Sequence, residues 1–314
     1  MDENYEVIFR TPEKMEVSAS PLPYELLSLI RQGSFGKVFK AREIGGTGRL
    51  LAVKKFRNQL EPSSAGRGVP PFILREVALL GRMKFFDHPN IVKLLDVKAT
   101  LEGNALDLTV ILEYIDQDLS TYMSKAPPSG LSLDDIKGIM LQLMRGLDFM
   151  HANMVVRHEI KPENILISSS GLVKIVDFEL ARLYSAFPVI VVVNICYRAP
   201  EVLLNTWYES AVDVWSAGCI FAELFLLKPL FRGTSEAQQL KLIFEFIGLP
   251  SEDEWPLTSC IAYSHSLGPR DPNPPVLDLL NPHAKDLLLE CLTFAPGRRI
   301  SPAGALAHPF FTQE

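Results

Sequence analysis

Glu159, Lys161, Asn164 and Asp177 are the side chains in this chain whose types and spacing could do chemistry together. They lie in VVRHEIKPENILI, Val155 to Ile167, and in LVKIVDFEL, Leu172 to Leu180. A carboxylate, then a lysine, then an amide and a second carboxylate follow the order that phosphoryl transfer needs. Glu159 would orient a hydroxyl, Lys161 would face the transferring phosphate, and Asn164 with Asp177 would hold magnesium. For any one of these residues alone, a solvated surface loop is the plainer reading. Their ordered combination, with apolar strand pairs between them, argues for a site.

Such a site needs elements to carry it. The 314 residues suit two lobes sharing a cleft. With 47% hydrophobic and 22% charged residues the chain has ample apolar surface to bury and no composition of wholesale disorder. The net charge of -6 comes from 37 acidic and 31 basic side chains with no basic run, so nucleic acid is not an expected partner. Cys196, Cys219, Cys260 and Cys291 form no C-x-x-C pair, which speaks against a zinc site or a disulfide framework. The opening twenty residues lack the apolar core of a signal peptide, and no apolar run is long enough to span a bilayer. These features lead us to expect a protein of the nucleus and cytoplasm with no membrane partner.

In chain order, residues 1–23 read as a flexible polar tail. From Tyr24 a strand runs into the glycine turn Gly33-Ser34-Phe35-Gly36, and a second strand carries Val38, Phe39 and Ala41. A third strand ends in Leu51-Ala52-Val53-Lys54. A Gly/Ser/Pro loop at Glu61 to Pro70 precedes the helical segment PPFILREVALLGRM. Strands over Val92–Val97 and Leu106–Leu112 would complete a five-stranded sheet. From Leu131 the pattern turns helical behind a Ser132 N-cap, and Asp213 to Gly218 opens a buried helix. Pro256 to Val276, rich in Pro and Ser, reads as irregular.

The two stretches around Glu159 and Asp177 resemble the catalytic loop H-R-D-L-x-x-x-N and the magnesium loop D-F-G of protein kinases. The resemblance implies an α+β, bilobal protein-kinase fold: residues 24–115 as a small antiparallel-sheet lobe with one main helix, and 116–311 as a larger, mostly helical lobe. It implies ATP and Mg2+ as cofactors, with Lys54, as in V-A-I-K, paired to Glu76 to orient the phosphates. Gly33 and Gly36 would let backbone amides approach phosphate. Val38, Ala52 and Leu166 would sandwich the adenine, with Ile30 among the nucleotide-binding positions. Leu112 would be the gatekeeper, and Glu113 and Ile115 would offer backbone hydrogen bonds. Arg299 would pair with Glu201 of Ala199-Pro200-Glu201.

PPFILRE resembles the PSTAIRE-type helix of cyclin-dependent kinases, the face a cyclin grips, although Phe72, Ile73 and Leu79 could equally be core residues. Asp116 to Leu119, Ala126 to Leu131 and Gly146 to Asn153 look most like the kinases partnered by D-type cyclins. A D-type cyclin, protein substrates with Ser/Thr-Pro sites and an ankyrin-repeat inhibitor are therefore implied as partners. The departures touch chemistry. Arg157-His158 is a swapped pair, Glu159 stands for the catalytic Asp, and Glu179 stands for Gly. Arg31 stands for the first glycine of the loop, where it could crowd the nucleotide or contact its phosphates. AFPVIVVVNIC, between Ser185 and Tyr197, holds no Ser, Thr or Tyr to phosphorylate. Of the three basic residues that receive that phosphate in the family, Arg75 and Arg182 remain and His158 occupies the third position. The reading is a cyclin-dependent serine/threonine kinase fold of the cell-cycle type that binds ATP and turns over poorly. The alternative is a pseudokinase serving as a cyclin- or inhibitor-binding module.

Overall fold

The computed structural model describes residues 23–33, 36–59, 81, 87–102, 105–156, 159–176, 182–183, 194–206, 209–256, 259 and 274–313. The chain divides into two compact units: Met1–Val69 with Leu94–Tyr114, and Pro70–Lys93 with Ile115–Glu314.

The first unit is built on a five-stranded antiparallel sheet of order β1-β2-β3-β5-β4. Its strands are β1 (Tyr24–Gly33), β2 (Gly36–Glu43), β3 (Leu50–Gln59), β4 (Leu94–Glu102) and β5 (Ala105–Glu113). Alternation along the strands sends Ala41, Leu51, Val53 and Ile111 to one face, where all four are fully buried and Tyr24 and Leu95 pack against them. In the antiparallel pair β1-β2, Gly33 lies opposite Gly36. At Gly36 a Cβ would lie 2.6 Å from the Lys55 carbonyl oxygen, so β2 can run this close to β3 only with glycine there.

The sheet differs from the sequence expectation at one edge. Val92 is not in β4. Its N–H donates to the Ile175 carbonyl at 3.0 Å, and Ile91 bridges Ile175 in parallel. Asn90 explains the diversion: its Nδ2 donates to Val173 O at 2.9 Å and its carbonyl accepts from Ile175 N–H at 2.9 Å. The apolar pair Ile91-Val92 therefore fills the core of the second unit.

That second unit carries a three-stranded sheet of β6 (Gln117–Asp118), β8 (Ile165–Ile167) and β9 (Val173–Ile175) in the order β6-β8-β9. A two-stranded ribbon pairs β7 (Val155–Val156) with β10 (Arg182–Leu183). Helices make up most of the remainder. α1 (Leu119–Ser124) is capped by Asp118, which accepts from Thr121 N–H at 2.7 Å. α2 (Leu133–Ala152) starts where the sequence implies, with Ser132 Oγ accepting from Asp135 N–H at 3.0 Å and Asp134 and Asp135 in the first turn. Its buried stripe, Ile136, Ile139, Met140, Leu143, Met144, Leu147 and Met150, has the helical spacing of a core face. At Gly146 a Cβ would meet Ile175 Cδ1 at 2.8 Å, so the glycine lets α2 lie close against β9. After α3 (Pro200–Leu203), α4 (Ala211–Leu226) is buried without interruption from Val212 to Leu224, the central helix of the unit. α5 (Glu236–Ile247) and α6 (Pro282–Cys291) follow. Most of the stretch read as irregular, Pro256 to Val276, falls outside the described residues. No described helix is long and apolar enough to cross a membrane.

Candidate active site

In the first unit, register decides which candidate residues share a face. Val38 lies opposite Lys54, and Lys54 opposite Val110. One rung on, Lys40 lies opposite Ala52 and Ala52 opposite Leu112. Directly opposed residues of an antiparallel pair project to the same side. Val38, Ala52, Lys54 and Leu112 therefore form one surface, on the side away from Ala41, Leu51, Val53 and Ile111. This surface joins apolar Val38, Ala52 and Leu112 to the cation of Lys54, with Lys40 on the same face opposite Ala52, a composition that suits a purine with a charged tail. Lys54 is 8% exposed, and its ammonium lies 5.0 Å from the Phe56 ring centroid. Ile30 sits at a register shift between Leu29 and Arg31 and is exposed. Gly33 ends β1, and Glu113 closes β5 opposite Leu51.

In the second unit the backbone from Glu159 to Lys161 alternates, with Ile160 buried and its two neighbours half-buried. Lys161 is extended at φ -152° and ψ 159°, and in extended backbone residues two apart project to one side. Glu159 Oε1 and Lys161 Nζ accordingly form a close ion pair. Asn164 is fully buried at the end of a 3₁₀ turn, Pro162–Asn164. Its N–H donates to Lys161 O at 2.9 Å, its carbonyl accepts from Val176 N–H at 3.1 Å, and its Nδ2 donates to Glu159 O at 3.2 Å. Its Oδ1 is buried with no hydrogen-bond partner among the described residues. A buried acceptor left unpaired costs about 1–3 kcal/mol, and a hard oxygen donor fixed on both sides suits a divalent cation. Asn164 thus fits the magnesium the sequence implies. Leu166, between buried Ile165 and Ile167, turns to the opposite and partly exposed side of β8. Ile115 is half-buried, one residue before Asp116, whose Oδ2 accepts from Ser169 N–H at 2.9 Å.

The remaining expectations fall outside the described residues: Glu76 and the PPFILRE helix, Arg157, His158, Asp177, Glu179, and residues 186–193. The coupling of Glu159 to Lys161 was missed in the sequence. Its signal was there, as two opposite charges flanking an isoleucine in a stretch that reads as extended.

Elsewhere in the second unit the scaffold is held by polar pairs. Arg299 binds Glu201 through two hydrogen bonds of 2.7 and 3.0 Å, as the sequence implies. Its other N–H groups donate to Ala211, Thr293 and Phe294 carbonyls at 2.8, 3.0 and 3.2 Å, so all five guanidinium donors are used. His151 Nε2 lies 3.0 Å from Asp213 Oδ2. The Tyr197 hydroxyl donates to Glu223 Oε2 at 2.8 Å, and burial pushes the Glu223 carboxyl up to about 7.

Lys54 on the third strand of a five-stranded antiparallel sheet, and in the second unit Asn164 following a carboxylate-lysine pair, stand at the positions the resemblance to protein kinases singles out. The protein kinase domain family matches residues 24–311. Cyclin-dependent kinase 4 of Xenopus laevis is 48% identical over 299 residues, covering 93% of this chain and 91% of its own length. The Mus musculus protein of the same name is 48% identical over 296 residues (93% and 97%), and that of Ovis aries 48% over 292 (91% and 95%). The chain belongs to the protein kinase family, and within it to the kinases resembling cyclin-dependent kinase 4.

Proposed function

We propose that this chain binds ATP with magnesium, associates with a D-type cyclin, and transfers phosphate to Ser/Thr-Pro sites of proteins at a strongly reduced rate. The buried Asn164 Oδ1, unpaired among the described residues, is the observation that carries the nucleotide reading, because it is a fixed oxygen donor that none of them satisfies. Lys54 would orient the phosphates with Glu76, and Asn164 and Asp177 would hold the magnesium, which when bound neutralises phosphate charge. Ile30, Val38, Ala52, Leu112 and Leu166 would enclose the adenine, and Glu113 and Ile115 would offer it backbone hydrogen bonds. Glu159 would accept the substrate hydroxyl's proton, with Lys161 leaving its ion pair to meet the phosphate. The lobes would span residues 24–115 and 116–311, and the protein would act in nucleus and cytoplasm.

The reduced rate follows from the residues in place. Glu is one methylene longer than Asp, and a displacement of about 1 Å at a reacting group costs roughly a hundredfold. Glu179, where the family has glycine, adds negative charge two residues from Asp177. The second reading, a pseudokinase that holds cyclin or an ankyrin-repeat inhibitor without turnover, is favoured by the absence of Ser, Thr and Tyr from Ala186 to Cys196.

The test is the initial rate of peptide phosphorylation by the full chain with purified D-type cyclin, saturating ATP and magnesium, beside Lys54→Met. Slow transfer abolished by Lys54→Met is the expected result. Cyclin binding without any transfer supports the second reading, and a melting temperature unmoved by millimolar ATP and magnesium overturns nucleotide binding altogether.

A further inference from the structure

Register fixes where Arg31 stands on the sheet. In β1-β2 it lies directly opposite Val38, and Val38 in turn lies directly opposite Lys54. Arg31, Val38 and Lys54 are thus one row across three neighbouring strands, with all three side chains on the same face of the sheet. Strands are spaced about 4.8 Å apart, so the two cations of the row stand on backbones roughly 10 Å apart with only the short Val38 between them. Arg31 is exposed, so holding its charge there costs no burial, and among the described residues no carboxylate forms an ion pair with it.

We propose that Arg31 is a second phosphate-binding cation of the nucleotide site, acting with Lys54 on the polyphosphate of ATP. This rests on the nucleotide reading above. A guanidinium offers paired N–H donors matched to two phosphate oxygens, whereas glycine at this position offers only backbone. The long, unbranched side chain lets the head group reach along the face toward the anion and leaves the surface over Val38 and Ala52 to the base. The consequence is a site whose affinity climbs steeply with the number of phosphates and falls with salt.

Calorimetric titration of the full 314-residue chain with adenosine, ADP and ATP, in low and moderate salt, tests it, using wild type, Arg31→Gln, Arg31→Lys and Arg31→Gly. The expected result is about tenfold weaker ATP binding in Arg31→Gln, partial retention in Arg31→Lys, adenosine affinity unchanged within about twofold, and a shallower salt dependence. If wild type binds ATP and Arg31→Gln binds it equally well, the proposal fails while the nucleotide reading stands. If Arg31→Gly tightens ATP and adenosine together, Arg31 blocks the site and the proposal is overturned in sign. If neither wild type nor Arg31→Gly binds any of the three, the nucleotide reading fails and takes the proposal with it.

Discussion

At the scale of single residues, Glu159 and Lys161 are tied to each other. Both side chains are mostly covered, 11% and 14% exposed, and each satisfies the other. If Glu159 is the base, as proposed, a substrate hydroxyl would have to compete with an ammonium already seated on it. Glu159→Asp shortens the arm and should loosen this pair, yet Glu179 would still burden the magnesium loop, so the single repair should gain only a few fold. Because groups acting as one unit are strongly non-additive, Glu159→Asp with Glu179→Gly should raise the initial rate far beyond the product of the single gains. Restoring Arg157→His and His158→Arg as well should add less, since no phosphorylated residue is available between Ala186 and Cys196 to engage the arginine. A wild-type rate within about tenfold of the four-site variant would show that Glu159 works well as a base, because displacement alone should cost roughly a hundredfold.

At the scale of elements, most of the fold was legible because each element carries its own signal. The strands alternate, the hairpin turns on two glycines, and Ser132 stands before two aspartates. Even the placement of Arg31 could be counted back from the turn: Gly33 opposite Gly36 puts Gln32 opposite Lys37 and Arg31 opposite Val38. Val92 was misread because an apolar pair beside a strand looks the same whether it continues that strand or plugs a neighbouring core. The deciding contact, Asn90 to Val173, joins residues 83 apart in sequence. Gly36 was read as room for phosphate, and the structure adds a reason independent of any ligand, the Lys55 carbonyl against which a Cβ would press. Gly36→Ala should therefore cost roughly 1–3 kcal/mol of stability with no nucleotide present, by overpacking at a backbone atom that can yield only if β2 and β3 separate. Gly48→Ala, where nothing lies within 4 Å but φ is +68°, should cost about 1 kcal/mol through backbone strain alone. Urea denaturation of the two variants compares these costs, and equal stability of Gly36→Ala and wild type would refute the close-approach argument.

At the scale of the whole molecule, two buried polar clusters in contact with helix α4 make stability depend on charge in different ways. Arg299 and Glu201 are both buried and mutually saturated, so Arg299→Met strands a carboxylate and should cost roughly 3–5 kcal/mol in denaturant unfolding, whereas Glu201→Met with Arg299→Met should recover much of that loss. Glu223 behaves differently because its partner is neutral. Burial raises its carboxyl from 4.5 to about 7, the nearby Glu163 charge pushes the same way, and the hydrogen bond from Tyr197 opposes both. Burial and the Glu223 charge also raise the Tyr197 phenol, which keeps it a donor throughout the physiological range. The folded protein therefore holds a proton on Glu223 more tightly than the unfolded chain does. This contribution to stability is fully present below about pH 4.5 and is lost as pH rises through about 7. The interval of about 2.5 pH units sets a ceiling of roughly 3.5 kcal/mol. Glu223→Gln keeps the shape and the acceptor for Tyr197 while removing the titration, so its unfolding free energy should be flatter than wild type between pH 5 and pH 7.5 and higher at the upper end. Parallel curves for the two proteins across that range would mean that Glu223 is already ionised at pH 5 and that its burial is compensated by a partner other than Tyr197.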